Sequence, residues 1–440
     1  MKENYIMKIL IVSTYFPPKT SIASLRPYSF AKRWSQLGHD VTVLTAPRYD
    51  FEPSLDLDCS SFNVISVPLP KLHGSLVKKL RKGKKDNASV ARKNNTPKSS
   101  GKIFSLFEKF RDETGILKDQ RMPSHLDPWY FKAYPIVSNE KWDLVVTTFS
   151  PYVSHLVGYR LKKKGKARFW IADYRDLWTG SHMFCGMWPF SLIEKYMERR
   201  FNRLADQITT VSEPLADYLK ENYKTQKVAV IENGFDRDDL KGLDPESIFV
   251  ENKVNIVYTG NIYPKFRDPS PLFEAVNRIK HSEKSALLAN LEIIFVGNNE
   301  KAVIELAKKH KINEYVNCQG MVARKDALRM QRDAHALLFL ESDNVNAKGV
   351  LTGKLFEYIN SGTQIWGVGV TEKSSSGRLI HDSGCGILFG TNVEKLEKNL
   401  VNLLAERVKY KISPNSKVID KFDRRSLADK MLALIKNVPN

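Results

Sequence analysis

The sequence lacks the features that mark disulfide-bonded, zinc-binding, secreted and membrane-spanning proteins. Its 440 residues include four cysteines, and none of them has the CxxC spacing of a metal or redox site. No stretch approaches the ~20 consecutive apolar residues that are needed to cross a bilayer. The N-terminal apolar run is short and has no small-residue cleavage site after it, unlike a secretory signal. We therefore expect a cytoplasmic protein that is soluble or peripheral to a membrane.

Internal repeats are absent as well, because no segment recurs with a period of about 20–50 residues, and this excludes a solenoid. Short β-branched runs such as "DVTVLT" and "DLVVTTF" alternate instead with helical patterns such as "FSLIEKYMERRFNRLA". This alternation is typical of βαβ units and parallel sheets, and it restarts at "NIVYTGNIY". We predict an α/β protein with two Rossmann-like doubly wound domains that face a central cleft, the default ligand site. The predicted domains are 1–235 and 236–415, with a closing helix in 416–440.

Positive charge exceeds negative charge, with 69 Lys and Arg against 49 Asp and Glu and a net charge of +20. Half of this excess lies in residues 71–121, which contain 15 basic and five acidic residues. We interpret 71–121 as a basic insertion that is either solvated or held against an anionic membrane, where each basic residue contributes on the order of 1 kcal/mol. No aromatic-interleaved basic groove is present, so nucleic acid is not an expected partner.

The first candidate site lies in "VYTGNIYPKFRD". Gly260 and Asn261 follow a predicted strand there, and a glycine at this place lets backbone N–H groups approach a phosphate. Lys265 and Arg267 supply positive charge to neutralise that phosphate. The alternative is a plain turn between a strand and a helix.

The second candidate site is "VLTGKLFEY", which reads as the start of a helix. Thr352 is a suitable N-cap, Gly353 leaves room for a ligand, and the helix dipole favours an anion at this end. Lys354 adds a charge suited to a diphosphate, and Glu357, one turn further on, can accept hydrogen bonds from a ribose diol. The alternative is an exposed Lys354–Glu357 ion pair, worth about a few tenths of a kcal/mol.

The third candidate site is "WIADYRDLWTG". Asp173, Arg175 and Asp176 crowd the carboxyl end of a predicted strand, where charges are costly unless they are paired or functional. One interpretation is a carboxylate that activates an acceptor, or an arginine that contacts a substrate anion. The alternative is a structural Arg–Asp network.

Two further patterns are weaker. The strings "DLD" at Asp56–Asp58 and "DRD" at Asp236–Asp238 resemble a metal-binding DxD, but they lie on a loop and a turn, and we take both as chance. The segment "HMFCGMWPFSLIEKYMERRF" combines aromatic residues and methionines with basic residues. It predicts either core packing or an interfacial patch that seats the protein near a lipid-linked acceptor.

The motifs "YFPP", "GHDVTVLT", "ADYRDLWT", "VIENGFD", "YTGNIY", "GKLFEYINSG" and "GCGILF" occur in an order that resembles family-4 glycosyltransferases of the GT-B fold. The resemblance is closest to the bacterial branch that makes capsule, O-antigen and exopolysaccharide. It runs from about Lys8 to the final helix and leaves only 71–121 outside. It implies a nucleotide-diphosphate sugar held by the second domain, an acceptor held by the first, and no metal. It also implies retention of the anomeric configuration and a last helix that crosses back onto the first domain.

The resemblance carries over to this chain only in part. Glu357 matches the second glutamate of the family's E-x7-E motif, which binds the ribose, whereas Gly349 stands at the first. Asn261 stands where the family has a phosphate-binding arginine, so Lys354 with Lys265 or Arg267 is the candidate replacement. The usual glycine pair after the first strand is replaced by "KTSIAS", and the family's catalytic-loop histidine has no clear counterpart. Asp173, Arg175 and Asp176 occupy that neighbourhood.

We predict a glycosyltransferase that moves a sugar from a nucleotide-diphosphate donor to a hydroxyl of a lipid-linked glycan, at the inner face of the cell membrane. A nucleotide-sugar epimerase of the same fold is one alternative, and it differs because it needs no acceptor. A non-catalytic scaffold that binds membranes or polyanions is the other. It would bind vesicles without binding any nucleotide.

Overall fold

The computed structural model describes residues 5–48, 55–69, 106–107, 109–111, 113–181, 184–262, 267–298, 300–341, 351–407 and 412–437. The chain divides into two compact units: Met1–Ile231 with Ala428–Asn440, and Glu232–Leu427. We predicted boundaries after residues 235 and 415, and the units divide after residues 231 and 427. Most of the basic insertion, together with Lys265 and Gly349, lies outside the described residues.

The first unit alternates strands and helices in the order that the sequence predicts. Its strands are β1 (Lys8–Val12), β2 (Asp40–Thr45), β3 (Asn63–Ser66), β4 (Trp142–Phe149), β5 (Ala167–Tyr174), β6 (Gln207–Thr210) and β7 (Val228–Val230). Its helices are α1 (Ile22–Gln36), α2 (Asp127–Ser138), α3 (Tyr152–Lys163), α4 (Phe190–Leu204) and α5 (Glu213–Tyr223).

These seven strands form one parallel sheet in the order β3-β2-β1-β4-β5-β6-β7. Every residue of β1 from Ile9 to Val12 is fully buried, as expected for a central strand that is covered on both faces. The strand order reverses between β1 and β4, and such a switch point leaves a crevice at the carboxyl ends of the two strands.

The second unit repeats this architecture. Its strands are β8 (Val254–Thr259), β9 (Leu291–Val296), β10 (Val316–Gly320), β11 (Ala336–Leu340), β12 (Ile365–Val368) and β13 (Gly386–Gly390). Its helices are α6 (Ser270–Lys280), α7 (Glu300–Lys309), α8 (Arg324–Asp333), α9 (Gly353–Ser361), α10 (Ser375–Asp382), α11 (Val393–Glu406), α12 (Ser416–Ile419) and α13 (Arg424–Ala433), which runs into the first unit. Short 3₁₀ turns cover Arg237–Leu240, Ser285–Asn290, Asn313–Tyr315, Asp420–Phe422 and Leu434–Asn437.

The second sheet is parallel in the order β10-β9-β8-β11-β12-β13. Alternate residues of β8 pack into different cores, with Ile256 and Tyr258 in one and Val257 in the other. The sheet is therefore covered on both faces, and its order reverses between β8 and β11. The two Rossmann-like doubly wound domains predicted from the sequence are confirmed.

The C-terminal residues of α13 pack within the first unit, on α1. The indole N–H of Trp34 donates a hydrogen bond to the carbonyl of Ala428 at 3.0 Å. Arg33 makes two hydrogen bonds to the carboxylate of Asp429, at 2.8 and 2.7 Å. Among the described residues, none of the helices combines the length and apolar character that crossing a membrane requires.

A buried ion pair ties α1 to the middle of the first sheet. Arg26 on α1 donates to both carboxylate oxygens of Asp173 on β5, at 3.0 and 2.8 Å. The hydroxyl of Thr209 on β6 donates to the same carboxylate at 2.8 Å. The side chain of Asp173 is fully buried, and that of Arg26 is 7% exposed. The pair is satisfied only while both partners are present.

Replacing Asp173 with asparagine should therefore lower the free energy of unfolding by about 3–5 kcal/mol, because Arg26 would lose the carboxylate that it binds in the interior. Urea unfolding followed by circular dichroism measures this loss. Asp176→Asn is the matched control, since that side chain is exposed. The double variant Arg26→Met/Asp173→Leu should recover much of the loss, and equal stability of Asp173→Asn and the control would contradict the assignment.

Candidate functional site

In the second unit the candidate residues lie at the switch point of the sheet. β8 ends at Thr259 and leads into Gly260, and β11 ends at Leu340, after which the chain reaches α9. Because β8 and β11 are neighbours in a parallel sheet, both ends open at the same edge. The N-terminal residues of α9 therefore lie close to the loop after β8.

Lys354, in the first turn of α9, reaches across this edge. Its ammonium donates to the hydroxyl of Tyr258 at 2.7 Å and lies 4.1 Å from the centre of that ring. The residue is 8% exposed, and no carboxylate lies within 4 Å of it in the described part of the chain. Burial, with repulsion from Arg267, lowers the pKa of Lys354 well below its ordinary value, and Glu357 and Glu341 offset this only in part.

The glycine turn after β8 makes room for this ammonium. Gly260 has φ +124°, and a Cβ on it would come within 2.8 Å of the Lys354 nitrogen, so a side chain there would displace it. The carbonyl of Asn261 accepts hydrogen bonds from the Tyr258 hydroxyl and from Arg267, both at 2.9 Å. Two cations, Lys354 and Arg267, are thus gathered at one turn.

Glu357 faces a different set of partners. Its carboxylate lies 3.3 Å from Arg324, at the start of α8, and its side chain is 15% exposed. Arg324 also binds Asp239 with two hydrogen bonds, at 3.1 and 2.7 Å. The alternative of an exposed Lys354–Glu357 ion pair is therefore wrong. Lys354 contacts Tyr258, and Glu357 contacts Arg324.

The helix start itself is not capped by a side chain. Thr352 has the backbone conformation of an N-cap, but its hydroxyl accepts no hydrogen bond from the helix. Its oxygen is buried and has no protein partner in the described residues. Gly353 follows as the first helical residue. The Thr352 side chain thus accepts no N–H of this first turn, although the Thr352 carbonyl accepts the N–H of Leu355 at 3.1 Å. The positive end of the helix dipole lies beside Lys354.

This arrangement can bind an anion next to a polyhydroxyl group. A buried ammonium, a second cation and a helix start supply positive charge for phosphates. The Glu357 carboxylate, one helical turn away and partly exposed, has oxygens that can accept from hydroxyls. The structure brings Lys354, Gly260, Asn261 and Arg267 together, with Thr352, Gly353 and Glu357 beside them.

In the first unit a pocket of about 730 Å³ lies at the switch point of the sheet. It is lined by Ser21 and Ala23 at the start of α1, by Ser150 after β4, and by Arg175 and Asp176 after β5. Its other charged lining residues come from one segment before α2, and they are Arg111, Lys118, Asp119 and His125.

The structure separates the three residues of the third candidate site. Arg175 and Asp176 line the pocket, whereas Asp173 is buried behind it with Arg26. Asp173 thus takes part in an Arg–Asp pair, the alternative that we left open, although its partner is Arg26 and not Arg175. The catalytic roles assigned to the three residues stay predictions.

Sequence reasoning missed a polar cluster in this pocket. Asp119 accepts a hydrogen bond from the hydroxyl of Tyr15, and its carboxylate lies 3.1 Å from His125. Burial raises the pKa of Asp119 to about 6. Asp119 lies in the segment that we assigned to the basic insertion, and His125 lies just after it. No periodic pattern marked them, because the fold brings Tyr15 to Asp119 from 104 positions away.

The helix α4 has an unusual distribution of side chains. It buries two glutamates: Glu194 pairs with Arg121 at 3.2 Å, and Glu198 accepts the N–H of Thr179 at 3.1 Å. Burial raises the pKa of both carboxyls. We define the α4 face as the exposed residues of this helix and the turn before it: Trp188, Leu192, Ile193, Lys195, Tyr196, Arg199, Arg200 and Arg203.

A second apolar group adjoins the α4 face. Leu106, Phe107 and Phe110 are exposed on a helical segment that ends near Thr114. The carbonyl of Thr114 accepts the N–H of Gly186 at 3.1 Å, which joins this segment to the turn before α4. For the segment "HMFCGMWPFSLIEKYMERRF" we considered core packing and an interfacial patch. The exposed side chains of the α4 face fit the interfacial patch, whereas Phe201 packs in the core.

The two DxD strings have local structural partners. Asp58 accepts the N–H of Ser60, and Asp236 accepts the N–H of Asp238, both at 2.9 Å. Asp238 also pairs with Lys241 at 2.8 Å. Within the described ranges no three His, Cys, Asp or Glu side chains lie close enough together to hold a metal ion. The metal-independent reaction stays a prediction.

Comparisons with known proteins agree with this architecture. Residues 107–239 match the sequence profile of Glycosyltransferase Family 4. No protein of curated function matches the sequence. The match begins at Phe107, so residues 107–121, which we placed in an insertion outside the resemblance, lie inside the family region. This corrects the C-terminal limit of the insertion.

Several solved structures share the fold over their whole length. Sucrose-phosphate synthase from Thermosynechococcus elongatus is 12% identical with a TM-score of 0.61, and the alignment covers 98% of each chain. The N-terminal domain of trehalose-6-phosphate phosphatase from Candida albicans is 13% identical with a TM-score of 0.62, covering 99% of this chain and 98% of that one. A lipopolysaccharide outer core galactosyltransferase in its apo form is 13% identical with a TM-score of 0.54, covering 98% and 99%.

At these identities the solved structures show the fold, which is GT-B, and the family profile adds the activity. The recognition made from the sequence is confirmed: the chain is a glycosyltransferase of the GT-B fold with a Glycosyltransferase Family 4 region at residues 107–239.

Proposed function

We propose that the protein transfers a sugar from a nucleotide-diphosphate donor to a hydroxyl of a lipid-linked glycan in the synthesis of a bacterial surface polysaccharide. The observation that carries the proposal is the buried Lys354 ammonium, which has a hydroxyl and an aromatic ring beside it but no carboxylate within 4 Å among the described residues. A cation in this state is costly unless an anion completes its surroundings. The donor diphosphate is that anion.

In this mechanism the protein stabilises the departing diphosphate with fixed charges. Lys354, Arg267 and the start of α9 lie at the turn after β8, where negative charge develops on the leaving group. Glu357 receives the ribose hydroxyls and is held in place by Arg324. We infer retention of configuration and independence from metal ions from the family resemblance.

The acceptor binds in the first unit, where Asp176 and Arg175 line the pocket. Asp176 is exposed to the pocket and is the better placed of the two aspartates to assist the acceptor hydroxyl. Asp173 has both carboxylate oxygens occupied by Arg26 and Thr209, so its effect on the reaction comes through the position of β5.

The α4 face supports a position at an anionic membrane surface. A helix that buries glutamates and exposes leucine, isoleucine, tyrosine and four basic residues has the composition of an interfacial helix. Trp188 is 77% exposed beside it, and tryptophan is enriched at the boundary between lipid and water. We infer that the protein is peripheral to the inner face of the cell membrane, where a lipid-linked acceptor is found.

The donor site is tested by nucleotide binding. UDP or GDP should raise the melting temperature of the chain by several degrees at saturation, because a ligand that binds only the folded state stabilises it. Lys354→Gln and Glu357→Gln should each lower the affinity by about tenfold or more, since each removes a charge-assisted hydrogen bond. The same variants should slow release of nucleoside diphosphate from a nucleotide sugar.

Lys308→Gln is the matched control, because it removes an exposed lysine of α7 in the same unit and should change nothing. The proposal fails if neither UDP nor GDP binds and no nucleotide sugar is turned over. It also fails if Lys354→Gln and Glu357→Gln bind nucleotide as tightly as the unmodified chain.

Nucleotide binding should also depend on pH through Lys354. Burial and Arg267 lower the pKa of the free ammonium, and a bound diphosphate raises it again. Between those two pKa values binding takes up a proton, so the affinity should fall as the pH rises through that interval. Calorimetry in two buffers with different ionisation enthalpies measures this uptake. Binding that releases protons over this range would contradict the role of Lys354.

Membrane binding is expected to depend on the α4 face. Arg199→Gln with Arg203→Gln should weaken binding to vesicles that contain phosphatidylglycerol by about 30-fold, since each basic residue contributes about 1 kcal/mol near such a surface. Sedimentation with sucrose-loaded vesicles measures this change. Lys308→Gln with Lys309→Gln removes the same charge from exposed sites on α7 and should have no effect. If both double variants lost the same vesicle affinity, only the net charge of the protein would matter, and the role of the α4 face would be contradicted.

A further inference from the structure

Glu357 belongs to a row of alternating charges in the second unit. Its carboxylate lies 3.3 Å from Arg324, which makes two hydrogen bonds to Asp239, at 3.1 and 2.7 Å. Asp239 in turn lies 3.7 Å from Arg424. The four side chains come from α9, α8, the 3₁₀ turn Arg237–Leu240 and α13. Each is between 11% and 23% exposed, so these charges are screened by solvent less than charges on the surface.

Arg324 links two carboxylates in this row. Both of its terminal nitrogens donate to Asp239, and one of them also donates to Glu357. A guanidinium can do this because its N–H groups lie in one plane and form a rigid fork. The fork of Arg324 is thus engaged by carboxylates of the protein. We therefore expect Arg324 to act on a ligand through Glu357 and not by direct contact.

A second donor on α8 approaches the other oxygen of Glu357. Gln331 follows Arg324 by about two helical turns, so the two side chains lie on one face of α8. The amide of Gln331 donates to the hydroxyl of Thr259 at 3.0 Å and lies 3.5 Å from the Glu357 carboxylate. Each carboxylate oxygen thus faces one donor of α8. Because a carboxylate has about four acceptor positions, both oxygens can still accept from a ligand.

The helix α9 is tied to the same 3₁₀ turn at a second point. The side-chain amide of Asn360 donates to the carbonyl of Asp236 at 3.1 Å. Asn360 lies about one helical turn after Glu357, on the same face of α9. The turn therefore holds α9 directly at Asn360, and at Glu357 through Asp239 and Arg324. These contacts oppose any displacement of the Glu357 carboxylate.

A carboxylate fixed in this way suits a vicinal diol. The two hydroxyls of a ribose can each donate to one oxygen of Glu357, whereas a 2′-deoxyribose has only one of these hydroxyls to donate. A site built to bind a hydroxyl rejects the analogue that lacks it, because a partly buried polar group is then left unpaired. A mobile carboxylate would turn to the remaining hydroxyl or to water, and it would discriminate less. The rigidity of Glu357 thus determines selectivity as well as affinity.

We propose that Arg324, held by Asp239, is the positioning residue that fixes Glu357 for the ribose, so that the donor is a ribonucleoside diphosphate sugar. This inference rests on the proposed function, because it specifies the donor of that reaction. Sugars carried by a 2′-deoxyribonucleoside diphosphate, such as deoxythymidine diphosphate (dTDP), are the class that it excludes.

Calorimetry on the full chain compares UDP and GDP with their 2′-deoxy analogues. Whichever ribonucleotide binds better should bind tighter than its 2′-deoxy analogue by about tenfold or more, since one hydrogen bond to a charged group is lost. Arg324→Gln and Asp239→Asn should each lower the affinity for the ribonucleotide by about tenfold and leave that for the deoxy analogue nearly unchanged. The ratio of the two affinities should therefore fall toward one.

Two controls separate this effect from a general loss of binding. Lys354→Gln should weaken the ribonucleotide and its deoxy analogue equally, because both carry the diphosphate. Arg278→Gln removes an arginine that pairs with Glu394 on the surface of the same unit, and it should change neither affinity.

Thermal melts show whether each variant is folded. Arg324→Lys keeps the charge but lacks the fork that binds Asp239 and Glu357 together, so it should also lower the ratio of the affinities. It supplies the measurement if Asp239→Asn does not fold.

Three results would overturn the inference. The first is an equal affinity of the unmodified chain for a ribonucleotide and its deoxy analogue. The second is tighter binding of dTDP than of both UDP and GDP. The third is that Arg324→Gln and Asp239→Asn lower the melting temperature but keep the ratio of the affinities, which would make the contacts of Arg324 purely structural. Failure of the proposed function is distinct, because UDP, GDP and dTDP would then all fail to bind, and the inference would fall with it.

Discussion

The buried ammonium of Lys354 is the interaction on which the proposed donor site depends. An isolated charge in a protein interior is unfavourable by several kcal/mol, even when a hydroxyl and an aromatic face lie beside it. The chain keeps this charge because Gly260 has no side chain and because α9 begins directly at the edge of the sheet. Burial, together with repulsion from Arg267, lowers the pKa of Lys354 well below its ordinary value. A site that is electrostatically incomplete without its ligand is well suited to stabilise a leaving group whose charge grows during the reaction.

The same incompleteness recurs in the first unit, with a different cation. Arg175 is held by two carbonyls as Lys354 is held by a hydroxyl, and each lies at the switch point of its own sheet. A parallel sheet creates such a point wherever its strand order reverses, because the neighbouring connections leave in opposite directions. Neutral partners fix each cation in position without neutralising it. The two units thus repeat a topology in which a cation held by neutral groups lies at the switch point of the sheet.

Part of this was predictable from the sequence, because it depends on neighbours along the chain. The β-branched runs and helix starts define both parallel sheets, and the spacing of Thr352, Lys354 and Glu357 gives the helix start and one face of α9. The partners of these residues were not predictable. Arg324 is 33 positions from Glu357, and Arg26 is 147 positions from Asp173. No local pattern specifies which of many arginines a carboxylate will meet.

The segment before α2 shows a second reason why structure could not be predicted from the sequence alone. Its high content of basic residues resembles that of a solvated loop, so composition alone placed residues 107–121 in an insertion. Two of its basic residues, Arg111 and Arg121, are buried in the structure, and Arg121 donates to the carbonyls of Trp178 and Phe184. Arginine can be buried where it has carbonyls and a carboxylate to satisfy its fork, so charge density is a weak guide to exposure.

Asn261 shows how a site can keep its chemistry after losing a motif residue. The family has an arginine at this position, and asparagine cannot supply the charge. The backbone carbonyl of Asn261 accepts a hydrogen bond from Arg267, and its side-chain oxygen accepts the N–H of Asn298, two residues after β9. The asparagine therefore fixes the turn and anchors a guanidinium that comes from six residues further on. In the proposed donor site Arg267 supplies the positive charge that Asn261 lacks, from another position in the sequence.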